Sequence, residues 1–338
     1  MVIDFVLPAE HEAHDPPEAR GMPRDGVRML VSRRSSGEIS HHAFRDLPGL
    51  LLPGDLLVIN NTGTLPAEVR ADGDLAVHFS TPRPDGTWLV ELRQIKDTTT
   101  IPNDRGFSGQ HIELPSGAVL TLEDRFTARL WRARLSVAVV PYLLQHGVPI
   151  RYSYVPHEWE LSLYQTVFAH SPGSAEMASA ARPFTPSVVT ELVTRGVLIA
   201  PLTLHAGVSS LEADEDPYPE LYDVPPATAR LVNHVRADGG RVIAAWTTVV
   251  RALETAALRS GGDGTVAASA GWTSHVVTPE TGVKVVDGLL TGLHEPRSSH
   301  LRMLAAFADP DLLSRCYEAA ITGGYLWHEF GDVHLMLP

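Results

Sequence analysis

Four short clusters carry the side chains that could do chemistry. At Trp246–Thr247–Thr248 an expected strand, Arg241–Trp246, apolar from Val242, gives way to a segment of helical periodicity, with two hydroxyls at the junction. A helix starting at the carboxyl end of a strand points free N–H groups and a positive partial charge into the crevice above the sheet. Hydroxyls there can cap the helix, bind an anion, or do both. Arg251 and Glu254 follow three residues apart, as a surface ion pair or as ligand groups. His205, in Leu204–His205–Ala206–Gly207, ends a second apolar run. An imidazole titrates near neutrality, so it could act as general acid or base, or simply hydrogen-bond at a strand end. Glu220 lies in a stretch rich in Asp, Glu and Pro, where most carboxylates are solvated. The last cluster is Thr291–Ser299, which holds His294, Arg297 and Ser298 in a loop between a strand and a helix.

These clusters need elements to position them. Strands are expected at Val27–Ser32 and Asp55–Asn60, with a polar turn at Asn60–Asn61–Thr62–Gly63. Residues 68–140 then change character. Leu75–Thr81, Trp88–Gln94, Val119–Leu122 and Arg129–Leu135 read as short strands between glycine turns. Such spacing suggests a small antiparallel, barrel-like β domain inserted at 68–150. Residues 1–67 and 151–338 would then form a mixed α/β main domain. Within it, Thr185 and Pro186 open a helix that Gly196 closes. Val197–His205 is a strand, Ala227–Ala237 a helix, and Thr247 to about Arg259 the helix of the first cluster. Strands near Ser274–Thr278 and Val283–Leu290 follow, then helices at Ser299–Phe307 and Asp311–Thr322, and a strand at Val333–Leu337.

Composition excludes several classes. The 338 residues, 44% hydrophobic, suffice for one large or two medium cores. No run approaches the ~18 apolar residues of a membrane span. The first twenty residues lack a basic-then-apolar pattern, so no secretory leader is expected. Cys316 is the sole cysteine, which rules out disulfides within the chain and fits a cytoplasmic protein. The net charge of -13 counts against a general grip on phosphate backbone. Arg20, Arg24, Arg28, Arg33 and Arg34 form an arginine-rich stretch, read as a basic patch or a solvated face. Phosphate-loop, dinucleotide and nucleophile-elbow patterns are missing, and the 16 histidines lack zinc-ligand spacing, so no metal is expected.

In order along the chain, the motifs resemble one family. Asp55 to Thr62 with Leu65–Pro66–Ala67 is similar to its Asn-Asn-Thr segment. Tyr164–Gln165–Thr166–Val167 and Gly173–Ser174 fit its middle, and Leu204–His205–Ala206–Gly207 its Leu-His-Val-Gly. Ala244 to Glu254 resembles its Gly-Thr-Thr helix. Val286–Asp287, Thr291 and His294 to Ser298 match a further segment, and Tyr325 to Met336, with Gly331–Asp332, the last. The family is the S-adenosylmethionine:tRNA ribosyltransferase-isomerase family of queuosine biosynthesis.

The resemblance implies an enzyme for which S-adenosylmethionine is a substrate, donating ribosyl rather than methyl. A base would remove a C5′ proton acidified by the sulfonium, and adenine and methionine would leave. The ribose would rearrange on the aminomethyl group of a 7-deazaguanine in tRNA. His205, Glu220 and His294 become catalytic candidates. Asn60, Asn61, Thr62, Gly207, Trp246, Thr247, Thr248, Arg251, Glu254, Ser298 and Asp332 become candidates for holding S-adenosylmethionine. Within that set, a carboxylate such as Glu220 or Asp332 suits the diol or the sulfonium. The resemblance also breaks at definite places. Gly63 stands for an arginine, Trp246 for the glycine before Thr-Thr, and Tyr218 for a histidine. Ala178–Thr185 lacks a histidine, Thr291–Ser299 lacks an asparagine and has Arg297 for a lysine, and Tyr325–Asp332 loses an arginine and gains Glu329. These breaks and the acidity keep two further readings open: a paralogue acting on a small molecule or on S-adenosylmethionine itself, and a non-catalytic S-adenosylmethionine-binding protein.

Overall fold

The computed structural model describes residues 5–97, 99–208, 218–296 and 298–338. Its centre is the strand Leu56–Asn60, buried along its whole length. It pairs in parallel with Leu198–Leu204 on one side and Val242–Ala245 on the other, and Val242–Ala245 pairs in parallel with Gly288–Gly292. Strands covered on both faces need continuous apolar sequence, which Leu-Leu-Val-Ile and Val-Ile-Ala-Ala supply. The nine-stranded sheet grows outward through Glu220–Val224 and Ser269–Thr273 at one edge, and through Val333–Leu337, Arg28–Arg33 and Ile39–Ala43 at the other.

Helices cover both faces. On one, Pro226–Ala237, Thr247–Arg259, Ser299–Leu304 and Pro310–Thr322 pack into the larger core. On the other, Pro186–Thr194 and the turn Phe44–Gly49 close the second core. Thr185 caps Pro186–Thr194 by accepting from Val188 N–H, as expected.

A second, seven-stranded antiparallel sheet takes all its strands from Glu68–Leu135. Register shifts near Thr81 and Asp124 bend it. Its core also recruits Leu65, Ala175, Val208 and Tyr218 from the flanking chain. The architecture is therefore mixed α/β with a small antiparallel β unit. No helix among the described residues is long and apolar enough to cross a membrane.

Local expectations shift in four places. The polar turn after Asn60 is a short strand, Thr62–Thr64, paired with Ser171–Ser174. The strand expected at Ser274–Thr278 lies at Ser269–Thr273, where it pairs with Glu220–Val224; Thr273 Oγ1 then accepts from His275 N–H and turns the chain. The strand expected from Val283 begins at Gly288, because the Glu254 carboxylate accepts the N–H groups of Lys284, Val285 and Val286 at 2.9, 2.9 and 3.2 Å. The arginines at 20–34 bond largely within the molecule: Arg20 to Phe330 O, Arg24 to Glu18, Arg28 to Asp332, Arg34 to Asp287 O.

Glu254 thus anchors the entry to a central strand. Removing it strands three backbone donors, two of them buried. Glu254→Ala should lower unfolding free energy by about 3 kcal/mol, and Glu254→Gln by less, since its amide oxygen still accepts. Urea denaturation measures this; a loss under about 1 kcal/mol for the alanine variant would contradict the anchor.

Candidate active site

Parallel strands end at the same edge, so their carboxyl-terminal residues converge. Asn60, His205, Trp246 and Gly292 follow or end four neighbouring strands. A crevice outside the carboxyl ends of such strands is the usual ligand site of an open α/β sheet. Here a cavity of about 240 Å³ opens at that edge.

Asn60 fixes its floor. The buried amide donates to Leu204 O at 2.8 Å and to Thr248 Oγ1 at 3.0 Å. Its carbonyl accepts from Leu204 N–H and Thr62 N–H, each at 3.1 Å. Thr248 therefore accepts from Asn60, and no threonine side chain caps the helix. Thr247, Thr248 and Trp246 all line the cavity. The helix they begin is buried from Thr247 to Ala257. That burial overturns the surface pair expected between Arg251 and Glu254. Arg251 reaches instead to Glu220, in the strand next to the sheet's edge, with a close ion pair, and donates to Tyr218 O and His275 O. Glu220 also accepts from Gly207 N–H at 3.1 Å. Burial pushes the Glu220 carboxyl above its ordinary range; Arg251 and the Gly207 N–H oppose that shift.

Gly207 is required by close approach. A Cβ there would lie 2.5 Å from Ser80 Oγ and 2.7 Å from Thr81 Oγ1, on the small sheet. The next N–H, of Val208, donates to Ser80 Oγ.

The opposite rim brings histidines. His294 accepts or donates at Thr291 Oγ1, 2.7 Å away, and stacks on His300 with centroids 4.4 Å apart. Burial, and then His300, drive the His294 pKa well down; burial takes His300 to about 4. Ser298 lines the cavity and caps Ser299–Leu304, accepting from Leu301 N–H. Arg297 lies outside the described residues.

Other candidates sit away from the cavity wall. His205 Nδ1 pairs with Thr62 Oγ1 at 2.8 Å, and Thr62 Oγ1 pairs with Ser174 Oγ at 2.8 Å. Burial lowers the His205 pKa. Asn61 accepts from Thr203 Oγ1. Asp332 is engaged by Arg28 and by Leu326 N–H, and Glu254 by the 284–286 backbone. The cavity also gathers Tyr152, Glu176, Glu295, His300 and His328, which sequence reasoning did not assign a site role. Glu295 lies in the motif loop and His300 in the helix that follows it, while Tyr152, Glu176 and His328 lie in irregular segments without a periodic signal, where the gained Glu329 beside His328 was the one hint.

Trp246 holds φ +93° and ψ 151°, a region almost confined to glycine. Its ring is nevertheless packed, 6% exposed. The glycine of the related motif is thus the residue the backbone asks for.

Fold and crevice together define a mixed α/β enzyme of the kind that works at the carboxyl edge of its sheet. Comparison with known proteins narrows that class. The family model described as queuosine biosynthesis protein matches residues 2–336. A relative from Acidiphilium cryptum, named S-adenosylmethionine:tRNA ribosyltransferase-isomerase, is 36% identical over 98% of this chain and 97% of its own. A relative of the same name from Heliobacterium modesticaldum is 34% identical over 99% and 98%. The crystal structure of S-adenosylmethionine tRNA ribosyltransferase from Thermotoga maritima superposes with a TM-score of 0.56 at 27% identity, covering 99% of both chains. The chain belongs to the queuosine biosynthesis protein family, and it is an enzyme.

Two outcomes follow. At position 246 the usual preference for Ala over Gly should invert. Both variants lose the packed ring, but only Trp246→Gly releases the strained φ, so it should be the more stable by about 1–2 kcal/mol in denaturant titration. An alanine variant as stable as the glycine one would show the backbone unstrained. The second concerns pH. His300 and His334 titrate at about 4 when folded, against 6.5 unfolded. Below pH 6.5 the unfolded chain takes up protons the folded one refuses, so stability is full above 6.5 and declines toward 4. His300→Asn should lose less melting temperature between pH 7 and 5 than the parent; an equal loss would exclude His300 from that slope.

Proposed function

We propose that this enzyme takes S-adenosylmethionine into the cleft at Trp246–Thr248 and transfers and isomerises its ribosyl group onto a 7-aminomethyl-7-deazaguanine of tRNA. The observation that carries the reading is similarity over nearly the whole chain to relatives named for that activity, together with a cleft built from the shared motifs. The start of the buried helix at Thr247 supplies N–H groups suited to the methionine carboxylate. Glu220, fixed by Arg251 and Gly207, suits a ribose diol. The C5′ proton needs a base held neutral in a dry site. His294 lines the cavity and is kept neutral by burial, which favours it as the base; His205, oriented by Thr62, sits off the cavity wall.

A second reading is favoured by one observation. Trp246 puts a large ring where the related motif has glycine, beside the ligand's expected place. An altered cleft and a charge of -13 suit an acceptor other than tRNA.

Incubation with S-adenosylmethionine, with and without tRNA bearing 7-aminomethyl-7-deazaguanine, separates the readings by release of adenine and methionine. Release only with that tRNA is the expected result. Release without tRNA would replace the acceptor, and tight binding with no release would leave a binding protein.

A further inference from the structure

One wall of the cavity is aromatic and acidic. Tyr152, Glu176, Glu295 and His328 line it. The Tyr152 ring stacks on Tyr154 with centroids 5.5 Å apart, and Tyr154 on His328 at 5.0 Å. Tyr152 Oη donates to Glu176 Oε1 at 3.4 Å, and Glu295 Oε1 lies 3.0 Å from His328 Nε2. His328 holds φ +70°, a conformation imidazole residues adopt more readily than most.

Behind this wall stands Glu329. It is 8% exposed, and its Oε2 has no hydrogen-bond partner among the described residues. Burial, then the charge of Glu176, push its carboxyl well above the ordinary range, with Arg182 opposing. Arg182 is itself committed to Glu18 at 2.8 Å and to Leu163 O. A buried carboxyl left this way lacks the positive partner that would stabilise its ionised form.

The charges around the cavity point the same way. Among the described residues, three carboxylates line it: Glu176, Glu220 and Glu295. Arg251 is the permanent cation among the described lining residues, and Glu220 already engages it. Burial keeps His294 and His300 neutral. Aromatic faces flanked by carboxylates attract a weakly hydrated cation by quadrupole and by charge.

We propose that Tyr152, Glu176, Glu295 and His328 form a cation subsite of the cleft, which holds the positively charged group of the ligand, a sulfonium or a protonated primary amine. The proposal rests on the reading of the cleft as an S-adenosylmethionine site. It adds to that reading which wall takes the charge.

The test is titration calorimetry on the parent, Glu176→Gln and Glu295→Gln. The probes are S-adenosylmethionine, the uncharged S-adenosylhomocysteine, free 7-aminomethyl-7-deazaguanine and its uncharged 7-methyl counterpart. If the wall holds the sulfonium, the variants bind S-adenosylmethionine about tenfold more weakly and S-adenosylhomocysteine within twofold of the parent. If it holds the amine, the tenfold loss falls on the aminomethyl base alone. Either result supports the subsite. All affinities within twofold of the parent, or equal losses for charged and uncharged partners, overturn it. Failure of the functional reading looks different: the parent itself then binds neither sulfur compound. In that case trimethylsulfonium chloride decides. It should raise the melting temperature of the parent above that in equal sodium chloride, and not that of Glu176→Gln; equal shifts overturn the subsite. The Glu295 side chain is 57% exposed, so Glu295→Gln keeps the test open even if the Glu176 variant does not fold.

Discussion

The cleft depends on the side-chain amide of Asn60. One buried group makes four hydrogen bonds and spends them on three different pieces of chain: the end of Leu198–Leu204, the turn to Thr62, and Thr248 at the start of the buried helix. A buried amide with every donor and acceptor used fixes its neighbours in one arrangement, because losing any partner leaves an unpaired polar group in the core. The crevice floor is therefore set by hydrogen-bond geometry, and the apolar cores on the two faces of the sheet supply the cohesion. Thr248 is held as an acceptor, Leu204 is held at both its N–H and its carbonyl, and Gly207 and Glu220 follow from that register.

Charge is arranged on top of this floor. Glu220 and Arg251 come from an outer strand, second from the sheet's edge, and a central helix, and each is nearly sealed from water. Separating such a pair leaves an uncompensated ion, which typically costs about 3–5 kcal/mol. The pair therefore ties the edge of the sheet to its centre. Across the cavity, burial keeps His294 and His300 uncharged near neutral pH.

Much of the scaffold was legible in the sequence. The strand–Thr–Thr–helix unit, the capped helix from Pro186 and the last strand at Val333 lie where apolar periodicity and capping residues place them. Those signals are local. The partners that decide the site are not: Arg251 meets Glu220 across 31 positions, and Asn60 meets Thr248 across 188. No short-range pattern encodes such contacts. Ordered motifs located eight of the cleft's lining residues, Gly207, Glu220, Trp246, Thr247, Thr248, Arg251, His294 and Ser298. Tyr152, Glu176 and His328 escaped because they lie in loops whose side chains meet only once the chain is folded. Glu254 and Asp332 looked like ligand groups, but their carboxylates are occupied by backbone N–H groups, a use that residue type alone cannot reveal.

The contact between Gly207 and Ser80–Thr81 has a hereditary side. Any side chain at 207 would collide with two hydroxyl-bearing residues that belong to the other sheet. Neither partner drifts alone: a larger residue at 207 needs the Ser80 and Thr81 hydroxyls to turn aside or be lost. The two parts of the chain are thereby bound to a shared history, and the small sheet cannot be exchanged for a relative's without carrying its own matching residue into the rim of the cleft.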